Sequence, residues 1–336
     1  MKDKHNGTPV EQRVQETTQG GAVANDGIDR RNFLSCMAWA GTGLLWTMAG
    51  GVPTSKLFAA TTDAAGKAAH AGGGFSFVQI SDSHIGFNKA ANPDVSGTLQ
   101  IAIDKINALD VRPELMLHTG DITQSSRPAE FDTASQIIKG TNVAETFYVP
   151  GEHDTSFDDG ALYMQRFGQN TQGNGWYSFT HKGVHFIGLN NVQQLDGLGK
   201  LGVDQLAWLK KDLADLPSST PIVVFAHIPL WMVYPQWGWG TSDGEEALGY
   251  LKRFGSVTVL NGHIHQVVQK VEGNVAFHTA TSTAFPQPAP GTAPNAGPMV
   301  VPAGKLRSVL GITEVQYIAK HSHLAIVDAS LEDATV

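Results

Sequence analysis

The chain has 336 residues, of which 41% are apolar and 16% charged, and its formal net charge is −8. This length suits one large domain or two ordinary ones, and the low charged fraction, together with 15 Phe and 7 Trp, excludes disorder as the main state. Because acidic residues outnumber basic ones, the chain has no general surface for polyanions, and nucleic acid is not an expected partner.

The first 71 residues have the pattern of a targeting segment. Polar residues come first, and two arginines, Arg30 and Arg31, then precede Phe-Leu and an uncharged run whose apolar part spans 38–52. This pattern resembles a twin-arginine export signal. We therefore predict a signal peptide and linker over 1–71 and a folded domain over 72–336. The protein is expected in the periplasm or elsewhere outside the cytoplasm, after passage through the twin-arginine export machinery.

The alternative interpretation of the apolar run is a permanent membrane anchor. A helix that spans a bilayer needs ~20 apolar residues, which is about the length of the whole uncharged run that reaches Ser55. Glycines and threonines interrupt the run between Gly41 and Thr54, and this favours the export signal. No stable membrane span is therefore expected in the mature form, although the protein would stay tethered to the membrane if the signal were not cleaved.

The single cysteine, Cys36, lies inside this leader. The remainder of the chain can therefore form neither a disulfide nor a cysteine-ligated zinc site. Any metal ion bound by the folded domain must be held by histidines and carboxylates.

Short apolar runs alternate with helical periods through the rest of the chain. Six runs predict buried strands, over 75–80, 115–119, 146–149, 185–189, 221–226 and 257–260. Four helices are predicted between them, over 95–109, 129–139, 203–216 and 245–254. Alternation of this kind favours an α/β core with mixed sheets.

Additional short segments are predicted as antiparallel strands that close the sheets. They lie at about 175–179, 267–271, 275–279, 311–318 and 323–327. The intervening stretch 284–304 carries six of the 16 prolines of the chain. Because a strand-like pattern resumes after it, this stretch is predicted as a loop within the domain and not as a linker between domains.

Side chains that can ligate a metal follow five of the predicted strands. The five loops contain Asp82 and His84; Asp121; Glu152, His153 and Asp154; His227; and His263 and His265. In an open α/β sheet the carboxyl ends of the strands meet at one edge, so these loops are expected to converge. Each motif alone is weak, because a lone Asp-x-His or a buried histidine is more often structural. The ordered set of five predicts a metal centre.

The spacing within the loops suits ligation. Asp82 and His84, like His263 and His265, are two residues apart, which in an extended loop places both side chains on the same side. Glycine precedes three of the ligating positions and lets the backbone turn sharply and approach an ion. Mixed imidazole and carboxylate ligands suit Mn, Fe, Zn or Ni better than Ca or Mg.

The ordered motifs resemble those of the calcineurin-like metallophosphoesterase superfamily. The likeness extends from Phe75 to about His265, and the segments 175–190 and 205–209 are similar to the exported and cyclic-nucleotide-phosphodiesterase-like bacterial branches. The resemblance implies a four-layer α/β/β/α sandwich with two mixed sheets and a metal site at the carboxyl-terminal edge of the strands. It also implies two transition-metal ions, for which Fe, Mn and Zn are the candidates.

The resemblance further assigns the metal ligands residue by residue. The first metal would be held by Asp82, His84, Asp121 and His265. The second metal would be held by Asp121, Glu152, His227 and His263. Asp121 would therefore bridge the two ions.

The resemblance gives His153 a different role from the ligands. It matches the family histidine that contacts the phosphoryl group or the leaving oxygen, and Asp154 would orient it. Gln124 stands where the purple acid phosphatase subgroup carries a tyrosine. The colour of an iron–tyrosinate site is therefore not expected.

Glu152 replaces the asparagine that the family usually carries at this position. With Asp82, Asp121 and Glu152 ionised, three negative charges would face four positive charges from two divalent ions, and a bridging hydroxide would make the centre neutral. Such a centre attracts a phosphate anion less. One hypothesis is a pair of Fe(III) and a divalent ion, and another is a substrate of low charge such as a diester. A third interpretation is that Glu152 ligates through one oxygen with little consequence.

The predicted activity is hydrolysis of a small phosphate mono- or diester by attack of a metal-bridging hydroxide. Two metals ~3.5–4 Å apart can lower the pKa of a shared water toward ~7 and direct it at phosphorus, while His153 protonates the leaving alkoxide or stabilises its charge. No Lys/Arg cluster lies near the motifs, which disfavours a polyphosphate substrate and a nuclease. The alternative from another class is a non-catalytic, metal-stabilised binding or scaffold protein of the same fold.

Residues 231–240 place four aromatic side chains close to His227 in the sequence. These rings either form a lid that stacks on part of the substrate or attach a long loop to the core. Both interpretations stay open at this stage. His118 and His185 lie inside predicted strands and are expected to be structural.

Overall fold

A computed structural model of the protein describes residues 46–49, 52–55, 74–193, 195, 197–318 and 324–332. The strands are β1 (Trp46–Ala49), β2 (Val52–Ser55), β3 (Phe75–Ile80), β4 (Leu115–His118), β5 (Glu145–Tyr148), β6 (Tyr177–His181), β7 (Val184–Leu189), β8 (Ile222–Ala226), β9 (Val257–Asn261), β10 (Gln269–Glu272), β11 (Val275–Thr279), β12 (Gly311–Tyr317) and β13 (Leu324–Ser330). The helices are α1 (Val95–Asn107), α2 (Pro128–Ile138), α3 (Glu152–Thr155), α4 (Ala161–Phe167), α5 (Val203–Leu213), α6 (Gly244–Leu251) and α7 (Leu306–Val309), with a 3₁₀ turn at Pro235–Trp237.

Two mixed sheets form the body of the domain. The six-stranded sheet has the order β10-β11-β9-β8-β7-β6, and the five-stranded sheet has the order β13-β12-β3-β4-β5. Strands β7, β8, β9 and β11 are parallel in the first sheet, and β3, β4 and β5 are parallel in the second. The parallel strands of each sheet therefore end at a common edge, where ligand sites form in α/β folds.

Three hydrophobic clusters define the layers. One packs α1 and α2 against the five-stranded sheet and contains Val78 and Phe131. Another packs α5 and α6 against the six-stranded sheet and contains Val224 and Leu209. The third consists mainly of strand residues from both sheets, such as Phe77. The order helix, sheet, sheet, helix confirms the predicted four-layer α/β/β/α sandwich.

Strand β3 illustrates why the apolar runs form buried strands. Every residue of β3 is buried. Phe75 and Phe77 lie between the two sheets, whereas Val78 and Ile80 lie in the cluster with α1 and α2. Because both faces of the strand are covered, apolar residues occur at four of its six positions and on both faces.

Most predicted elements are confirmed with small shifts at their ends. Strands β3 and β11 begin and end where the sequence predicted. Helix α5 ends at Leu213, three residues early, because the chain turns there and the backbone N–H of Leu216 donates to the carbonyl of Leu213. The stretch 284–304 contains no helix or strand, as predicted for a loop.

Strand β11 corrects one part of the predicted pairing. It is antiparallel to β10, as expected, but it is also parallel to β9. The hairpin places β10 at the outer edge of the sheet, so β11 returns beside β9 in the same direction as β9. This arrangement extends the row of parallel strands by one.

The predicted leader, 1–71, lies outside the described residues except for two short strands. Strands β1 and β2 pair in antiparallel fashion, with Trp46 opposite Ser55. Among the described residues, none of the helices combines the length and the apolar character needed to cross a membrane. The export signal and the boundary before residue 72 stay predictions.

Candidate metal centre

The five predicted loops meet at the carboxyl ends of the parallel strands. Three of the loops follow β3, β4 and β5 of one sheet, and two follow β8 and β9 of the other. Seven side chains from these loops form a single group in which neighbouring ligand atoms lie within a few ångströms: Asp82, His84, Asp121, Glu152, His227, His263 and His265. The structure thus brings together every side chain that the sequence selected as a candidate ligand.

One end of this group consists of Asp82, His84 and His265, called here the first cluster. Nε2 of His265 lies 3.2 Å from Oδ1 of Asp82 and 3.2 Å from Nε2 of His84. All three residues are buried. One carboxylate and two imidazoles thus point their ligand atoms at a common position.

The other end consists of Glu152, His227 and His263, called here the second cluster. Oε2 of Glu152 lies 3.0 Å from Nε2 of His227, and its Oε1 lies 3.0 Å from Nδ1 of His263. The side chains of Glu152 and His263 are partly exposed, whereas His227 is buried. The second cluster is therefore the more accessible of the two.

Asp121 lies between the two clusters. Its Oδ2 is 3.5 Å from Nε2 of His84 in the first cluster and 3.4 Å from Nε2 of His227 in the second. Its other oxygen, Oδ1, accepts a hydrogen bond from the backbone N–H of His153 at 2.9 Å. A carboxylate in this position can serve ions at both ends of the group.

The unsatisfied polar atoms of the site test whether metal ions fit it. Oε2 of Glu152, Nε2 of His227 and both ring nitrogens of His263 are buried, and although Glu152 lies 3.0 Å from both rings, none of these atoms makes a contact with hydrogen-bond geometry among the described residues. A buried polar atom without a partner costs about 1–3 kcal/mol. Since carboxylate oxygens and imidazole nitrogens are the ligands of first-row transition metals, cations between these atoms account for the arrangement.

Backbone carbonyls orient two of the candidate ligands. Nδ1 of His227 donates to the carbonyl of Thr119 at 2.7 Å, and Nδ1 of His265 donates to the carbonyl of Phe285 at 2.5 Å. Each bond fixes the ring tautomer so that Nε2 is the nitrogen available to a metal. These two carbonyls were not predicted, because any residue supplies a carbonyl and no sequence signal marks it.

The backbone of the ligand loops is strained. Five of the seven candidate ligands have φ between 42° and 70°, in the left-handed region that side-chain-bearing residues rarely adopt: Asp82, His84, Asp121, His263 and His265. Strain of this kind persists where surrounding structure enforces it, and it clusters at functional sites. At Gly151, an added Cβ would lie 2.1 Å from Oδ1 of Asp121, so only glycine allows this approach.

His153 lies beside the first cluster but is held by a residue other than the one expected. Its Nδ1 donates to the carbonyl of Gln124 at 2.7 Å, and its ring packs edge-on against His84. The carboxylate of Asp154 instead accepts hydrogen bonds from the backbone N–H groups of Ile122, Thr123 and Gly151 and from the Thr123 hydroxyl. The expectation that Asp154 orients His153 by direct contact is corrected, because Asp154 joins the loops after β4 and β5.

Burial and neighbouring charges shift the pKa values of the candidate ligands. Burial alone would lower the pKa of His227, but Asp121 and Glu152 hold it well above its usual value. Burial alone would raise the pKa of Glu152, but His263 and His227 hold it well below its usual value. Burial lowers the pKa of His84 to about 3. At pH 7 the Glu152 carboxylate is therefore ionised and His84 is neutral, as metal ligands must be, whereas His227 carries a proton that a metal ion would displace.

The remaining predicted histidines behave as structural residues. Nε2 of His118 pairs with the Ser83 hydroxyl at 2.8 Å, and His185 pairs with Asp212 at 2.8 Å. His278 similarly pairs with Asp328. Each of these rings pairs through one nitrogen with a neighbour outside the candidate ligand set.

Two of the four aromatic rings in the segment 231–240 are buried in the core. Trp231 and Trp239 are buried, and the ring of Trp231 packs on Phe277 with centroids 4.5 Å apart. Tyr234 and Trp237 are half-buried and pack edge-to-face on each other. The two buried rings attach the loop to the core, so the lid interpretation now depends on Tyr234 and Trp237 alone.

Comparisons with known proteins agree with this geometry. The sequence profile of the calcineurin-like phosphoesterases matches residues 75–267. A protein of Arcobacter nitrofigilis named "Probable glycerophosphodiester phosphodiesterase GpdQ" is 26% identical over 223 residues, which cover 61% of this chain and 77% of that protein. A protein of Vesicomyosocius okutanii named "Probable cyclic nucleotide phosphodiesterase" is 26% identical over 216 residues, which cover 63% of this chain and 87% of that protein.

Solved structures share the fold at low sequence identity. A dimetal phosphatase from Danio rerio aligns with a TM-score of 0.57 and 14% identity, covering 77% of this chain and 96% of that chain. A purple acid phosphatase from yellow lupin aligns with a TM-score of 0.56 and 14% identity, covering 78% of this chain and 52% of that chain. The sandwich with its parallel strands is therefore a known architecture.

Proposed function

Because the chain belongs to the calcineurin-like phosphoesterase family and is a metal-dependent phosphoesterase, we propose that it is an exported enzyme that hydrolyses a small phosphate ester at a centre of two metal ions. The single observation that carries the proposal is the convergence of seven candidate ligands from five loops on one group of facing atoms. Export rests on the Arg30-Arg31 pattern of the leader.

The two clusters suggest how the ions are held. Asp82, His84 and His265 would hold one ion, Glu152, His227 and His263 would hold the other, and Asp121 would contact both. Bound there, the ions would polarise the phosphoryl oxygens and lower the pKa of a water so that it can attack phosphorus. The remaining step, the transfer of a proton to the leaving oxygen, requires a side chain that can hold and release that proton.

His153 is the side chain that we assign to proton transfer. Burial alone would lower its pKa, but Asp121 and Glu152 raise it above the usual value. Since Nδ1 donates to the carbonyl of Gln124, the proton on Nε2 is the one that protonated His153 can give to the leaving oxygen. His153 would thereby stabilise the alkoxide that departs when the ester bond breaks.

The charge of the site favours a substrate of low charge. Three carboxylates would face the ions, and among the described residues no lysine or arginine forms an ion pair with any of them. The relatives are named as phosphodiesterases for glycerophosphodiesters and cyclic nucleotides. A small phosphodiester is therefore the substrate class that we propose first, with a monoester as the alternative.

A panel of substrates tests the proposed function. The purified protein, supplied with Mn or Fe, should hydrolyse bis-p-nitrophenyl phosphate or a cyclic nucleotide faster than p-nitrophenyl phosphate. Release of p-nitrophenolate reports cleavage of the two aryl esters, and formation of the nucleoside monophosphate reports cleavage of the cyclic nucleotide. Faster cleavage of the monoester would contradict the diester assignment. Activity on none of them would contradict the enzyme and support a metal-stabilised scaffold. Cell fractionation of the full chain and of an Arg30→Lys/Arg31→Lys variant tests export, which requires the variant to remain in the cytoplasm.

Glu152 leads to a specific prediction about the identity of the metals. We propose that its charge favours a pair of Fe(III) and a divalent ion, because three carboxylates would neutralise two divalent ions once hydroxide is bound. Glu152→Gln should reduce the preference of the site for Fe(III) over Mn(II) by about tenfold, a change of the size that altered ligand environments produce. Metal analysis by mass spectrometry and electron paramagnetic resonance would measure the oxidation states.

Two outcomes separate this idea from its alternatives. Glu152→Asn restores the residue usual in the family and should behave like Glu152→Gln, which controls for side-chain length. If both variants kept the metals and the rate of the unaltered protein, Glu152 would not tune the site. If the metals stayed the same while the preference moved from diester toward monoester, the charge would act on substrate choice instead.

A further inference from the structure

Residues 282–288, called here the strap, follow β11 and form no helix or strand. The strap lies beyond residue 267, where the match to the family profile ends. Its residues are mostly buried. Its place in the fold, at the carboxyl end of β11 beside β9, brings it against the loops that carry the first cluster.

The start of the strap contacts the loop after β3. The hydroxyl of Ser282 donates to the carbonyl of Asp82 at 2.7 Å, and the backbone N–H of Thr283 donates to the carbonyl of Ser81 at 3.1 Å. The Thr283 hydroxyl also bonds the hydroxyl of Ser83 at 3.2 Å. These contacts hold the backbone on both sides of Asp82.

The second half of the strap contacts the loop after β9. The carbonyl of Phe285 accepts from Nδ1 of His265 at 2.5 Å, and the side-chain amide of Gln287 donates to the carbonyl of His263 at 3.1 Å. In return, the side chain of Gln266 donates to the carbonyl of Gln287 at 2.8 Å. The strap therefore joins the two loops that supply the first cluster.

The Phe285 side chain makes a second kind of contact with the same ligands. Its ring centroid lies 4.8 Å from that of His84 and 4.8 Å from that of His265, with interplanar angles of 32° and 38°. The ring also packs on Phe87 at 4.4 Å and is only 3% exposed. One apolar ring thus covers both imidazoles of the first cluster and keeps water from their outer faces.

We propose that Phe285 is a positioning residue that sets the metal affinity of the first cluster. Its carbonyl fixes the tautomer of His265. Its ring limits the rotation of the His84 and His265 side chains, so that both Nε2 atoms have the orientation needed for ligation in the absence of the metal. Loss of the outer partners of metal ligands commonly changes metal affinity 10–100-fold, and the apolar shell around a site controls the access of solvent to it. This inference rests on the proposed metal centre but not on the identity of the substrate.

Cobalt binding to ring variants tests the proposal. The metal-free full chain would be titrated with Co(II) by calorimetry and by visible absorption, which report the affinity and geometry of each bound ion. In Phe285→Ala the affinity for one of the two cobalt ions should fall by about 10–100-fold, and the absorption bands of that ion should change. The affinity and the bands of the other ion should equal those of the unaltered protein. Phe285→Leu, which keeps apolar bulk at the site, should recover part of the lost affinity and also keeps the test usable if the alanine variant does not fold.

A matched control separates positioning from a general loss of packing. Phe131 is fully buried in the same hydrophobic cluster as Phe285 but makes none of the contacts with candidate ligands. Phe131→Ala should lower stability to urea and leave the cobalt titration unchanged. The proposal is overturned if Phe285→Ala binds both ions normally, or if Phe131→Ala weakens cobalt binding to the same extent.

The outcome is distinguishable from a failure of the proposed function. If the unaltered protein bound cobalt but cleaved no phosphate ester, the enzyme assignment would fail and the assignment of Phe285 would stand on the titration alone. If the unaltered protein bound no cobalt, both proposals would be overturned.

Discussion

Replacing Asp121 with asparagine is expected to remove most of the bound metal and to lower phosphoesterase activity by on the order of 10³-fold. The physical reason is the position of one oxygen, because Oδ2 of Asp121 lies within 3.5 Å of ligand nitrogens at both ends of the site. An amide has the same shape as the carboxylate but lacks its charge. Both ions would therefore lose the anionic ligand that they share. Elemental analysis and steady-state rates on the same preparation measure the two effects.

Asp132 offers a matched control for this change. It is an exposed carboxylate on α2 that pairs with Arg166 at 2.8 Å and lies outside the candidate ligand set. Asp132→Asn makes the same chemical change and should leave metal content and rate unaltered, since exposed ion pairs contribute little. Full metal content in the Asp121→Asn protein would show that Asp121 is not a shared ligand.

Replacing His153 with alanine is expected to depress turnover while metal content stays intact. General acids commonly contribute ~10²–10⁴ in rate, and the loss should be larger for an alkyl leaving group than for p-nitrophenolate, which leaves without a proton. Asp121 and Glu152 raise the pKa of His153 above the usual value, against the effect of burial. The acid is active when protonated, so kcat of the unaltered protein should fall as pH rises through this pKa, and the variant should lack that decline.

The rates of the His153→Ala protein on an alkyl ester and on a p-nitrophenyl ester show whether His153 protonates the leaving group. His181 serves as a control, because it is a half-buried histidine that pairs with Glu114 away from the candidate ligands. His181→Ala should keep both the rate and the pH profile. If the His153→Ala protein hydrolysed an alkyl ester at the full rate, the acid role would be wrong, and if it lost metal, His153 would belong with the ligands.

Several features of the site could be predicted from the sequence because they depend on residue type and order. His227 alone resembles an ordinary core histidine, but it follows a buried strand in a series of five such loops. Parallel strands end at a common edge, so the order of the motifs along the chain already indicated where the side chains would meet. The distances among Asp82, Asp121, His227 and His265 confirm that they gather in one place.

Other features could not be predicted, because they depend on groups that every residue has or on contacts distant in sequence. The carbonyls of Thr119, Gln124 and Phe285 orient three histidines, yet a carbonyl has no residue signature. The family resemblance assigned Asp154 to orient His153, but the Asp154 carboxylate bonds the loop after β4. A motif gives the residue types and not the hydrogen bonds that each one makes.

The amino-acid sequence by itself determined the alternation of strands and helices, the identity of the candidate ligands and the family, because apolar periodicity and ligand chemistry are properties of residue order. Only the tertiary structure decided that Asp154 bonds the loop after β4, that Phe285 covers His84 and His265, and that Trp231 and Trp239 are buried in the core. Those features arise when two sheets pack face to face and bring together loops up to about 200 positions apart, as in the bond from Ser282 to Asp82. A local sequence pattern does not show which residues far apart in the chain come into contact.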